Sequence, residues 1–146
     1  MSNLNFRKWT DRLQPQTLQI GTFLLYINGF FAAASVLDKK DYLGYVRERW
    51  AIGGLVGIGV VVAYVLGGFL MANDRKAGYW LALVAAFSPF AIRFWATSDL
   101  ENLAGINIGL WDKLTGGDTI GFVFEVALCA LLLHPQSREH QKLWFR

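Results

Sequence analysis

Residues 51–72 read AIGGLVGIGVVVAYVLGGFLMA, an unbroken run without a single charged side chain. A helix over this stretch is about 33 Å long at 1.5 Å per residue, which is enough to cross the hydrocarbon core of a bilayer. Its glycines would weaken a helix in water, but lipid makes an unpaired backbone costlier still. The stretch therefore predicts a membrane-spanning helix.

Three more apolar blocks flank this one, over residues 17–37, 78–96 and 119–134. Apolar and aromatic residues make up 54% of the chain and charged residues only 17%. Mean hydropathy is +0.33, which is high for a water-soluble domain. We predict an all-α, polytopic integral membrane protein, with residues 1–146 forming one membrane domain of four transmembrane helices. The last block gives a helix of only about 24 Å, so it begins earlier, near Leu114, or the bilayer adapts to it.

The segment before the first block, residues 1–16, is polar and basic. Phe6, Trp9 and Leu13 are spaced to form one apolar edge of a helix, so we predict a short amphipathic helix lying in the membrane interface. The basic start followed by an apolar block also resembles a cleavable signal peptide. We expect the block to be retained as a span.

The distribution of basic residues predicts the orientation. With both termini on one side, eight of the fourteen Lys and Arg residues fall on that side and five on the other. The positive-inside rule then places both termini in the cytoplasm, and we expect the plasma (inner) membrane. All six tryptophans lie close to predicted span ends, as interfacial aromatic residues do.

Small residues recur on one side of the second span. Gly53 and Gly57 form a GxxxG pattern, and Gly59, Ala63 and Gly67 repeat every four positions. Such a ridge lets another helix approach closely. That helix belongs either to the same chain or to another subunit, and the pattern alone leaves both possibilities open.

Only two charged residues fall inside the predicted spans, Arg93 in the third and Glu125 in the fourth. Both lie within about 9 Å of the outer ends of their helices, so we predict an intramembrane ion pair. It fixes the packing of the two spans in one interpretation. In another, Glu125 is a proton or cation site whose pKa Arg93 adjusts, and in a third either residue pairs with a different subunit.

The uncharged polar residues near the midplane are few: Tyr26, Asn28, Tyr64 and Ser88. An unpaired amide in lipid is costly, so we expect Asn28 to form a hydrogen bond with Tyr64 or Ser88. Pro89 removes a backbone donor within the third span and predicts a kink, with Ser88 available to satisfy the freed carbonyl.

The two longer connections, residues 38–50 and 97–118, share the outer side. The second is too apolar for a fully solvated loop, so we expect it to lie on the membrane or against a partner. Its carboxylates could attract a divalent ion, although we favour a solvated acidic loop; they are Asp99, Glu101, Asp112 and Asp118.

Motifs for catalysis, nucleotide binding or haem ligation were not found. With one cysteine and two histidines near the C-terminus, the chain predicts no disulfide, no cofactor and no metal. Because the basic residues sit beside apolar blocks, we expect the lipid bilayer and not nucleic acid as the partner. We predict a non-catalytic accessory or scaffolding subunit that contacts other membrane subunits or its own copies. The alternative is a small oligomeric transporter or channel using Glu125 and Arg93, and a lipid-modifying enzyme ranks third.

Overall fold

The computed structural model describes residues 4–146, and within this range the chain is 77% helical with no strand. The all-helical prediction is therefore confirmed. The seven helices in this range are α1 (Gln16–Leu37), α2 (Tyr42–Arg49), α3 (Gly53–Ala72), α4 (Lys76–Ala104), α5 (Leu110–Thr115), α6 (Thr119–Leu133) and α7 (Pro135–Trp144).

Three of these helices, α1, α3 and α4, are long and apolar enough to cross a membrane. α6 and α7 reach that length only together, and they are bent by 50° at the break between them. His134 and Pro135 form this break, because proline fits the first turn of a new helix and not the interior of an old one. The chain is thus compatible with three or four spans.

The four long elements form a ring in which α3 packs on α1 and α4, and α6 packs on α1 and α4 from the other side. Leucine, alanine and tyrosine side chains fill the centre of this ring. They include Leu25, Tyr64, Ala82 and Leu128, each at most 1% exposed. Burial of such residues between helices is what holds α1, α3, α4 and α6 in one bundle.

The bundle has two distinct ends. At the terminal end, backbone hydrogen bonds join the last residue, Arg146, to Asp74 and Lys76 in the turn between α3 and α4. The backbone of Asn5 bonds to the side chain of Asn73 there. The other end, called the connection end below, carries α2, α5 and the final turns of α4.

The predicted N-terminal interfacial helix is wrong for residues 4–15, which form turns and bends instead. Residues 1–3 lie outside the described range. Phe6 stacks on Phe69, and Trp9 packs edge-on against Tyr26, whose hydroxyl donates to the Trp9 carbonyl at 2.7 Å. These contacts do not require a helical backbone, and they leave the apolar edge largely exposed: Phe6 by 75%, Trp9 by 50% and Leu13 by 91%.

Two element boundaries also differ from the sequence prediction. α4 continues past residue 96 to Ala104 and stops where Gly105 adopts a left-handed φ of 64°. In the first connection the side chain of Asp41 caps the backbone of Tyr42 and starts α2. The connections are therefore mostly helical.

Candidate functional site

Arg93 of α4 and Glu125 of α6 meet in a two-pronged ion pair. Nη2 of Arg93 lies 2.7 Å from Oε1 of Glu125, and Nη1 lies 3.1 Å from Oε2. Arg93 is 4% exposed and Glu125 is 8% exposed. Parallel N–H to oxygen bonds of this kind are among the strongest and most directional that side chains form. The structure thus brings together the two charges that the sequence singled out.

Further contacts hold the guanidinium of Arg93. Nη1 also donates to the backbone carbonyl of Leu114 at 2.6 Å, and the charged group lies 4.7 Å from the centre of the Tyr42 ring. Gly116 packs directly on the Arg93 side chain, since a Cβ added there would come within 2.8 Å of Cδ. Arg93 consequently joins five parts of the chain: α2, α4, α5, the turn after α5, and α6.

The backbone and aromatic partners of Arg93 were not predicted from the sequence. The Leu114 carbonyl is a main-chain group, and Tyr42 precedes Arg93 by about a third of the chain. Burial raises the pKa of the Tyr42 phenol well above its usual value, so this ring stays neutral beside the ion pair. The Asp41 cap at the start of α2 was the only local hint of where Tyr42 would be held.

A cavity of about 910 Å³ opens above the ion pair at the connection end. Arg93 and Glu125 form part of its lining, together with residues from α1, α2 and α3. Its size is near the upper end of the usual range for small-molecule sites. The ion pair is therefore accessible from the cavity even though both side chains are largely covered.

Two polar atoms in the cavity wall have no hydrogen-bond partner among the described residues. They are Nδ2 of Asn28 and Oγ of Ser35, in side chains that are 7% and 5% exposed. The expected bond from Asn28 to Tyr64 or Ser88 is not formed, although Tyr64 lines the same cavity. Ser35 is not among the polar residues predicted from the sequence. Its position two helical turns after Asn28 was the signal that both lie on one face of α1.

Ser88 serves its own helix. Its Oγ donates to the carbonyl of Ala85 at 2.8 Å, which is the carbonyl that the missing N–H of Pro89 leaves free. The helix runs continuously through Pro89. The Ser88 hydroxyl therefore satisfies a backbone carbonyl of α4, and Ser88 is not part of the cavity lining.

The small residues of α3 are of two kinds: most pack closely against other parts of the chain, and one is open to the surroundings. A Cβ on Gly57 would lie 2.8 Å from Val36 of α1, and one on Gly67 would lie 2.9 Å from the backbone of Ala82. Gly53 contacts the carbonyl of Val46, and Ala63 packs against the core. Gly59 alone among these has no atom within 4 Å of its added Cβ.

A second polar cluster lies at the terminal end. Nζ of Lys8 is 2.5 Å from Asp11 and 3.2 Å from Asp74, and the Gln14 amide donates to Asp74 at 2.7 Å. Partial burial opposes the charges, but these bonds prevail, so the pKa of Lys8 is raised and that of Asp11 is lowered. The cluster ties the N-terminal segment to the turn between α3 and α4.

Acidic residues at the connection end are engaged by neighbouring side chains. Asp99 accepts from Tyr45 and from Arg49, and Glu101 pairs with Lys113. Within residues 4–146, no three His, Cys, Asp or Glu side chains converge as metal ligands.

The chain matches no protein-family model, no curated protein and no solved structure.

Proposed function

We propose that this chain is a multi-pass protein of the plasma (inner) membrane with both termini in the cytoplasm, acting as a non-catalytic accessory or scaffolding subunit of a larger assembly. Apolar side chains exposed along the long helices support the membrane placement, because water would not tolerate so many. The excess of Lys and Arg at the terminal end supports the orientation.

One face of α3 carries the assembly proposal. Leu55, Gly59, Val62 and Leu66 follow one another at helical spacing and are all exposed. Gly59 leaves a notch in this face, because the exposed residues around it carry larger side chains. No described residue lies within 4 Å of a Cβ added at Gly59. A glycine notch between larger apolar residues allows the backbone of a second membrane helix to approach closely. We assign this face to another subunit, either a different protein or a second copy.

Purification from the native membrane in mild detergent tests the proposal. The wild-type chain should elute with a stable companion, and Gly59→Leu should reduce the recovered companion about tenfold by filling the notch. Ala130→Leu is the control, because it places the same leucine side chain at an exposed position on α6 and leaves the face of α3 unchanged. Recovery of the wild-type chain as a lone monomer would count against an assembly role.

The transporter remains a second candidate because Glu125 lines an open cavity. Proton or cation flux into liposomes containing the purified chain should then exceed that of empty liposomes. Glu125→Gln should abolish the excess. Because that change leaves Arg93 charged and buried, the double variant Arg93→Gln with Glu125→Gln provides a charge-neutral comparison. Equal flux in wild type and both variants would remove this candidate.

A further inference from the structure

α1 and α6 touch at the terminal end of the bundle, and residues of both helices line the cavity toward the connection end. Near the terminal end, Gly21 packs on Leu132, and Thr17 shares a 2.9 Å hydrogen bond with Ser137 just after α6. About 15 Å further along α1, Phe31 lines the cavity and is exposed, as is Ile120 on α6. Because residues of both helices line this open cavity, we take the space between α1 and α6 here as its side entrance.

The rim of this entrance is apolar. Phe31 and Ala34 lie on the α1 side, with Ile120 and Phe124 on the α6 side, and all four are exposed. In a membrane-embedded bundle this rim faces acyl chains. An apolar tail can therefore pass from the lipid into the cavity without crossing water.

The cavity interior offers hydrogen bonds without net charge. Asn28 and Ser35 lie seven residues apart on one face of α1, about 10.5 Å along its axis, and each lacks a partner. Both atoms are buried in the cavity wall, so a ligand acceptor reaches them only once their side chains rotate toward the cavity. It then recovers the free energy that an unpaired buried donor costs. Arg93 and Glu125 cancel each other's charge. The interior thus suits neutral acceptors such as ester carbonyl oxygens.

The cavity mouth carries charges of both signs. Lys39 and Lys40 are basic, and three carboxylates share the cavity lining with them: Asp38, Asp41 and Asp118. Nζ of Lys39 also lies 2.9 Å from Oε1 of Glu48. A headgroup with a phosphate and an ammonium would meet an opposite charge at each of its ends. The cavity volume is too small for two complete acyl chains as well as a headgroup, so the chains must leave through the side entrance.

We propose that this cavity binds a zwitterionic glycerophospholipid with a free ammonium group. Its ester carbonyls accept from Asn28 and Ser35, its headgroup lies among the charges at the mouth, and its chains leave between α1 and α6. The proposal rests on the membrane placement given above but not on the assembly role. A lone monomer could bind the lipid equally well.

Thermal unfolding of the full chain in delipidated detergent micelles tests the site. Added dioleoylphosphatidylethanolamine should raise the unfolding midpoint by at least about 3 °C. Dioleoylphosphatidylglycerol, which lacks the ammonium, and glycerophosphoethanolamine, which lacks the chains, should each give less than half that shift. An equal shift with either compound, or no shift with the first lipid, overturns the proposal.

The double variant Asn28→Leu with Ser35→Ala connects the shift to these donors. Both changes remove unpaired polar atoms at similar volume, so the lipid-free protein should unfold at the same temperature as wild type or a higher one. The lipid-induced shift should nevertheless fall by more than half. A full shift in this variant would overturn the assignment. Ala34→Trp, which narrows the side entrance, should reduce the shift while retaining both donors, and an unchanged shift would contradict entry between α1 and α6.

Discussion

At the residue scale, Arg93 and Glu125 are the most consequential side chains. Each is buried, so removing one leaves the other as an uncompensated charge in an apolar interior. The pair contributes less to net stability than its short distances suggest, because both groups lose hydration on burial. Its main effect is to permit one arrangement of α4 against α6.

Single and double variants separate the cost of an unpaired buried charge from the net stabilisation by the ion pair. Arg93→Met or Glu125→Leu alone should lower the free energy of unfolding in detergent by about 3–5 kcal/mol. The combined variant should recover most of that loss, since no buried charge remains. Lys39→Met, at an exposed ion pair with Glu48, is the control and should change stability by less than about 1 kcal/mol. A double variant no better than the singles would show that the hydrogen bonds themselves dominate.

The Lys8 and Asp11 pair predicts a pH dependence. The folded-state pKa of Asp11 is lowered, so its stabilisation is complete above the ordinary aspartate pKa and is lost as the pH falls through the folded value. Asp11→Asn should therefore unfold at a lower temperature than wild type near pH 7. The two should converge once the pH falls below the folded-state pKa of Asp11, because the wild-type side chain is then uncharged like that of Asn. A difference that persists at low pH would indicate that the charge is not responsible.

At the element scale, the turn between α5 and α6 is set by two consecutive glycines with positive φ. Gly116 has φ 60° and packs on Arg93, whereas Gly117 has φ 82° and an added Cβ there meets nothing. Gly117→Ala should cost about 1 kcal/mol from backbone strain alone. Gly116→Ala should cost at least about 1 kcal/mol more by displacing Arg93. Equal losses in chemical denaturation would mean that the Arg93 contact is unimportant.

The helix α3 provides a second contrast between neighbouring glycines. Gly67→Leu should destabilise the bundle by about 3 kcal/mol or more, because the backbone of Ala82 leaves no room for a side chain. Gly59→Leu should leave the free energy of unfolding of the isolated chain unchanged or slightly higher. Unfolding in detergent measures both. Similar losses at the two positions would contradict the division of the ridge into a packed and an open part.

At the scale of the whole molecule, hydrophobic patterning predicted the helical class and where the long helices lie. It placed block boundaries within a few residues of α1, α3 and α6, because charge and hydropathy change abruptly there. It missed the length of α4, since residues 97–104 favour a helix by propensity and not by hydropathy. It also predicted a helix for the N-terminal segment, which instead forms turns from which Phe6 contacts Phe69 and Trp9 contacts Tyr26.

The sequence predicted the ion pair of the candidate site but not the cavity. Arg93 and Glu125 stood out because charges are rare in apolar blocks, and their depths matched. The cavity above them is lined by residues of several helices, and no local pattern encodes how those helices pack. Asn28 was expected to bond within the bundle, yet its Nδ2 is buried without a hydrogen-bond partner among the described residues.

Labelling from the two sides of a sealed vesicle tests the four-span arrangement most directly. Single cysteines would replace Lys40, Asp112, Lys76 and Lys142 in a Cys129→Ala background, all at exposed positions. In right-side-out vesicles, a membrane-impermeant maleimide should label the first two and should reach the last two only after permeabilisation. Labelling of Lys40→Cys and Lys76→Cys from the same side, or recovery of the chain in the aqueous fraction without detergent, would contradict the account.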